Sequence, residues 1–80
     1  MNLLLSKMRN IILYTTEWCS ACTSAKRLLE SKGLTYEEVN IETQRISRSK
    51  LMELTGRLAV PTIVIDGKVI GGFESLQELL

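Results

Sequence analysis

The stretch Ile11-Ile12-Leu13-Tyr14-Thr15-Thr16-Glu17-Trp18-Cys19-Ser20-Ala21-Cys22 decides the fold. Its first four residues are a continuous apolar run, the pattern of a strand buried on both faces. The period then turns helical over residues 20–32. Cys22, Ala25, Leu28 and Leu29 share one face of that helix, while Lys26, Arg27 and Glu30 lie off it. Gly33 supplies the left-handed residue that closes such a helix. Two cysteines three positions apart therefore stand where a buried strand hands over to a helix.

Working outward, residues 36–41 read as a second strand, with the alternation broken at Glu37 and Glu38. A second helix is predicted over residues 44–55, with Ile46, Leu51 and Leu54 as its apolar positions and Gly56 as its stop. Thr62-Ile63-Val64-Ile65 is a β-branched strand. Asp66-Gly67 is the strongest short-range hairpin signal, and Lys68-Val69-Ile70 returns as the partner strand. Gly71-Gly72 breaks that strand, and residues 74–80 make a short closing helix. A βαβ unit needs a parallel pair with a right-handed crossover, and the hairpin adds antiparallel strands. The expected class is α/β, a four-stranded mixed sheet flanked by three helices.

Residues 1–10 read as a leader into the first strand, with Met8 an alternative start, and residues 11–80 as a single domain. Leu3-Leu4-Leu5 is too short for a signal-peptide core, and no apolar run is long enough to span a bilayer. The expected location is the cytoplasm. Eighty residues allow one domain with a thin core, burying about 60% of the surface that the unfolded chain exposes. Ten Lys and Arg against nine Asp and Glu leave a net charge of +1, which argues against a nucleic-acid or acidic-membrane binder.

There are two cysteines and no histidine. Two thiols cannot build a disulfide framework, and in a reducing cytosol a pair is catalytic or metal-binding. Zinc needs four ligands, which one chain with this inventory cannot supply without carboxylates or a partner. At a helix N-terminus the orphan N–H groups and the macrodipole favour an anion, so Cys19 is expected to ionise more readily than a free cysteine. Cys22, at i+3, reaches the Cys19 sulfur from one turn deeper on the buried face. The outer thiolate attacks a disulfide and the inner thiol displaces the mixed disulfide. Trp18 reads as a partner-facing ring beside the reactive sulfur. Glu17 opposes thiolate formation unless its carboxylate points to solvent.

From Ile11 to Leu80 the chain resembles the glutaredoxin branch of the thioredoxin superfamily. The resemblance rests on three motifs in order: Cys19 to Cys22, Leu54-Thr55-Gly56 leading into Ala59-Val60-Pro61, and Gly71-Gly72 after the hairpin. It implies a thioredoxin-like fold and a cis Pro61 facing the cysteines, which exposes the backbone of Val60 to an extended substrate. It also implies glutathione as co-substrate, with no cofactor bound permanently. Arg48 matches the family's residue for the glycine carboxylate, and its guanidinium offers a bidentate fork. Phe73 and Glu74 stand where backbone N–H groups hold the glutamyl carboxylate, and Glu74 also matches the partner of the glutamyl ammonium. Thr16, Trp18 and Gly72 complete the expected substrate surface.

The chain departs from the family at several of these places. Thr16 replaces a Lys, Ser20-Ala21 replaces Pro-Tyr, Ala59 replaces a Thr, and Phe73 replaces a frequent Cys. Phe73 and Trp18 are similar to glutaredoxin-like redoxins that take electrons from thioredoxin reductase and serve ribonucleotide reductase. A different class, the glutathione-ligated [2Fe–2S] carriers, holds its cluster between protomers with one Cys from each. Cys22 competes with such ligation, and the Gly-Phe-Ser signature of single-Cys carriers is missing. The expected activity is a glutathione-dependent thiol–disulfide oxidoreductase acting as a monomer on protein disulfides or glutathionylated proteins. Arg45, Arg48 and Lys50 also fit a plain solvated helix face.

Overall fold

Strand β1 (Ile11–Thr15) alternates in depth: Ile11, Leu13 and Thr15 are buried, while Ile12 and Tyr14 are half-buried. This computed structural model describes residues 10–80, so the expected leader lies outside the described residues except for Asn10. Asn10 is tied down. Its N–H donates to Asp66 Oδ1 (3.0 Å), and its carbonyl accepts the Asp66 N–H (2.8 Å).

The chain continues through α1 (Ser20–Ser31), β2 (Glu37–Asn40), α2 (Arg48–Thr55), β3 (Thr62–Ile65), β4 (Lys68–Gly71) and α3 (Phe73–Leu79). The sheet order is β2-β1-β3-β4; β1 runs parallel to β2, and β3 is antiparallel to both β1 and β4. This is the expected four-stranded mixed sheet with three helices. Glu37 and Glu38 are both exposed because β2 is an edge strand, which explains the broken alternation. Asp66 (φ 51°) and Gly67 (φ 80°) are both left-handed, as a two-residue hairpin turn of the right twist requires.

The core joins β1 and β3 to α1 and α3 through Ile11, Leu13, Ala25, Leu29, Ile63, Ile65 and Leu76. Leu13, Leu29, Ile63 and Leu76 are completely buried. Truncating any of the three leucines to Ala costs about 2–5 kcal/mol, a large part of what so small a domain has. Among the described residues no helix is long and apolar enough to cross a membrane.

The second helix starts four residues later than the periodicity suggests. Asn40 Oδ1 accepts the N–H groups of Glu42 (3.0 Å) and Thr43 (3.2 Å), Arg45 is left-handed (φ 56°), and Ser47 caps α2 by accepting the Lys50 N–H (3.0 Å). Side-chain capping won over helix propensity. Arg45 therefore does not share a helix face with Arg48. Leu51 is the buried apolar residue of α2; Leu54 is half exposed.

Candidate active site

Cys19 is the N-cap residue of α1, with extended backbone angles (φ −131°, ψ 103°). Its sulfur takes the role that Ser or Asp oxygen usually plays there, accepting the Cys22 N–H at 3.1 Å. That N–H is equally placed for a thiolate, because a hydrogen bond to the charged form favours it. Cys19 and Cys22 are joined as a disulfide, with Cα atoms 5.2 Å apart. Cys22 is buried and Cys19 half-buried, so one sulfur faces substrate and the other waits beneath it. The Val60–Pro61 bond is cis, and Val60 O lies 3.9 Å from Cys19 Sγ. Residues separated by the whole of β2 and α2 in sequence thus meet at the reactive sulfur.

The loop carrying Cys19 is fixed from β2 and the turn that follows. Glu42 Oε1 accepts the Glu17 N–H (2.9 Å), and Asn40 Nδ2 donates to Glu17 Oε1 (3.4 Å). Glu17 is exposed, so solvent screens its carboxylate in part while Oε1 accepts from Asn40. Beneath the loop, the buried Thr15 hydroxyl donates to Glu38 Oε2 at 2.7 Å, and Lys26 Nζ approaches the same oxygen at 3.1 Å. The Thr15 hydrogen bond holds the Glu38 carboxyl below its ordinary range, burial works against it, and Lys26 adds to the lowering.

A groove of about 390 Å³ opens beside Cys19, lined by Ala21, Arg57, Val60, Pro61 and residues 72–75. Four of the sequence-predicted substrate residues meet there with Pro61: Val60, Gly72, Phe73 and Glu74. Phe73 also packs against the core. Thr16 is half-buried in the loop after β1 and does not line the groove. Arg48 lies outside it too; its Nη1 donates to Leu58 O at 2.7 Å, bracing the segment that leads to Val60. Trp18 is 97% exposed.

Sequence reasoning missed Arg57. Its Nε donates to Thr62 Oγ1 (3.0 Å), which in turn donates to Ala59 O (2.7 Å), and its N–H donates to Thr55 Oγ1 (3.1 Å). Among the described residues it has no carboxylate partner. Gly72 lets the guanidinium in: a Cβ there would stand 3.1 Å from Arg57 Nη2. At Gly71 (φ +131°) a Cβ would meet Ser75 Oγ at 2.7 Å. Gly71 is thus demanded by its backbone angle and close packing, while a side chain at Gly72 would have to push the end of Arg57 aside by a few tenths of an ångström. The available signal was a cation in Thr55-Gly56-Arg57, just ahead of Ala59-Val60-Pro61.

Residues 11–70 match the sequence model of the glutaredoxin family. Glutaredoxin 3 of Escherichia coli strain K12 is 40% identical over 72 residues, covering 90% of this chain and 87% of its own. A crystal structure of a buckwheat glutaredoxin–glutathione complex superposes with a TM-score of 0.76 at 28% identity, covering 85% of this chain and 64% of that one. The crystal structure of a thioredoxin-like protein gives 0.74 at 36% identity, covering 88% of this chain and 99% of that one.

Proposed function

The chain belongs to the glutaredoxin family, and from that premise we propose that glutathione supplies its electrons. It has the thioredoxin-like fold and is a dithiol–disulfide oxidoreductase. The Cys19 thiolate attacks one sulfur of a target disulfide, forming a mixed disulfide and releasing the other target sulfur as a thiolate. Cys22 gives up its proton and displaces the target, which leaves with two electrons and takes up protons as a dithiol. The Cys19–Cys22 disulfide remains. One glutathione thiolate opens it at Cys19; a second attacks the glutathione sulfur, giving oxidised glutathione and the protein dithiol. With a glutathionylated protein, Cys19 attacks the glutathione sulfur and the protein thiol leaves.

The observation that carries the glutathione reading is the groove beside Cys19 with a guanidinium in it that has no carboxylate partner among the described residues. Its volume, about 390 Å³, is near the low end of the roughly 300–1,000 Å³ typical of small-molecule sites. A peptide extended along Val60 lays its thiol at Cys19, since Val60 O is 3.9 Å from Sγ. Arg57 and the backbone at Phe73 and Glu74 are suited to the glutamyl carboxylate and Glu74 to the ammonium, while Arg48, outside the groove and bonded to Leu58 O, is assigned the glycine carboxylate on the family resemblance. Thr16 and Trp18 border the approach to Cys19. The protein acts as a monomer in the cytoplasm, on protein disulfides and glutathionylated proteins.

A coupled assay tests the donor. With a disulfide substrate, NADPH oxidation should be rapid with glutathione plus glutathione reductase and slow with thioredoxin reductase alone. Efficient turnover by thioredoxin reductase, with none from glutathione, would replace this reading with a redoxin serving ribonucleotide reductase.

A further inference from the structure

Cys19 lines a second groove, distinct from the one that holds Val60 and Arg57. It has a volume of about 500 Å³ and is lined by Glu17, Trp18, Cys19, Ser20 and Thr23. The two grooves share no lining residue. Their charge differs: Arg57 and Glu74 both line the first, whereas Glu17 is the one charged residue lining the second, with Glu42 bonded to the Glu17 backbone. Among the described residues the ion pairs are Lys26–Glu38 and Lys50–Glu53, so neither Glu17 nor Glu42 is neutralised by a cation. Both carboxylates are held in place, Glu17 by Asn40 and Glu42 by the Glu17 N–H. Lining the same groove, and standing between Glu17 and Cys19 in sequence, is the most exposed large apolar side chain described, Trp18 at 97%.

We propose that this second groove docks a polypeptide substrate carrying a Lys or Arg beside its target disulfide, the cation lying over the Trp18 ring and against Glu17. A substrate sulfur must reach Cys19, so whatever flanks that sulfur passes over one groove or the other. The anionic tripeptide glutathione suits the groove with Arg57 and is repelled by Glu17 and Glu42. A cationic side chain is attracted by both carboxylates and by the indole face, and fixed groups lose little entropy on binding it. The same cation offsets the negative charge that opposes a thiolate at Cys19. The proposal rests on the disulfide-reducing activity and not on the identity of the donor.

The test is a single turnover with fully reduced protein and no glutathione present. Two disulfide peptides differ only in Lys or Glu next to the reacting cysteine. Acid quenching, alkylation and mass spectrometry give each rate, which is divided by that peptide's rate with dithiothreitol to remove the intrinsic effect of the flanking charge. One exposed ion pair plus one cation–π contact predicts a preference of about tenfold for the Lys peptide. High salt should shrink it, Trp18→Ala should reduce it, and Glu17→Lys should abolish or invert it. Equal corrected rates, or a preference that survives both variants, would overturn the proposal. A negative result in the coupled glutathione assay leaves this outcome untouched, so the two readings fail separately.

Discussion

Replacing Arg57 separates binding from chemistry at the site. The guanidinium has five N–H donors, of which Nε is committed to Thr62 Oγ1. Nη2 approaches Gly72, and Arg57 lines the groove that we assign to glutathione. A hydrogen bond to a charged group is worth roughly 1.5–3 kcal/mol, so Arg57→Ala should raise the KM for a glutathionylated peptide about 10- to 100-fold. A contact made equally in ground and transition states leaves kcat nearly unchanged when lost. Arg57→Lys keeps the charge but not the fork, and should fall between. The structural cost is separable, because Thr62 Oγ1 keeps its bond to Ala59 O. Losing one neutral acceptor's partner costs about 0.5–1.5 kcal/mol, a drop in Tm of several degrees for a domain of this size. Steady-state kinetics and a melting curve on the same preparations decide the matter. An unchanged KM, or a kcat that falls as far as kcat/KM, would refute the carboxylate-binding role.

Cys19→Ser should abolish disulfide reduction, while Cys22→Ser should accumulate a mixed disulfide at Cys19, visible by mass spectrometry; substantial reduction by the Cys19 variant would sink the assignment of nucleophile. In the reduced protein iodoacetamide should label Cys19 well before the buried Cys22. Thr15→Val should destabilise the protein at neutral pH by about 1–2 kcal/mol, discounted for the partial exposure of Glu38. Because the folded-state pKa of Glu38 is lowered, its stabilisation is present above the unfolded pKa and disappears as pH falls through the folded one. The gap in stability between wild type and Thr15→Val should therefore close in acid, and an equal gap at both pH values would contradict the hydrogen-bond account.

What the sequence made legible is what local chemistry controls. The apolar run at Ile11, the helical period after Ser20, Asp66-Gly67 and the glycine stops each act within a few residues, and the elements formed within a residue or two of expectation. The start of α2 was not legible, because Asn40 takes the Glu42 and Thr43 N–H groups and Ser47 takes that of Lys50, side-chain bonds that depend on the turn closing. Arg57 was illegible for a different reason. Its role needs Thr62, Gly72 and Pro61, which meet only when β3 and β4 pair. Glu42 is similar: a solvated charge in the sequence, it becomes the anchor of the catalytic loop through one backbone N–H.

The same contrast bears on how Cys19 is activated. Thr16 is uncharged, and no cation lines the groove containing Cys19. What remains on the protein's side is backbone: the Cys22 N–H at 3.1 Å and the terminus of α1 that it belongs to. Glu17 acts against them, and Asn40 and the solvent moderate it. A nucleophile supported by backbone dipoles alone, beside uncompensated carboxylates, is one whose reactivity a bound cation can raise. Selectivity and activation then have a common origin, because the positive group proposed to sit against Glu17 and Trp18 would also favour the charged form of Cys19.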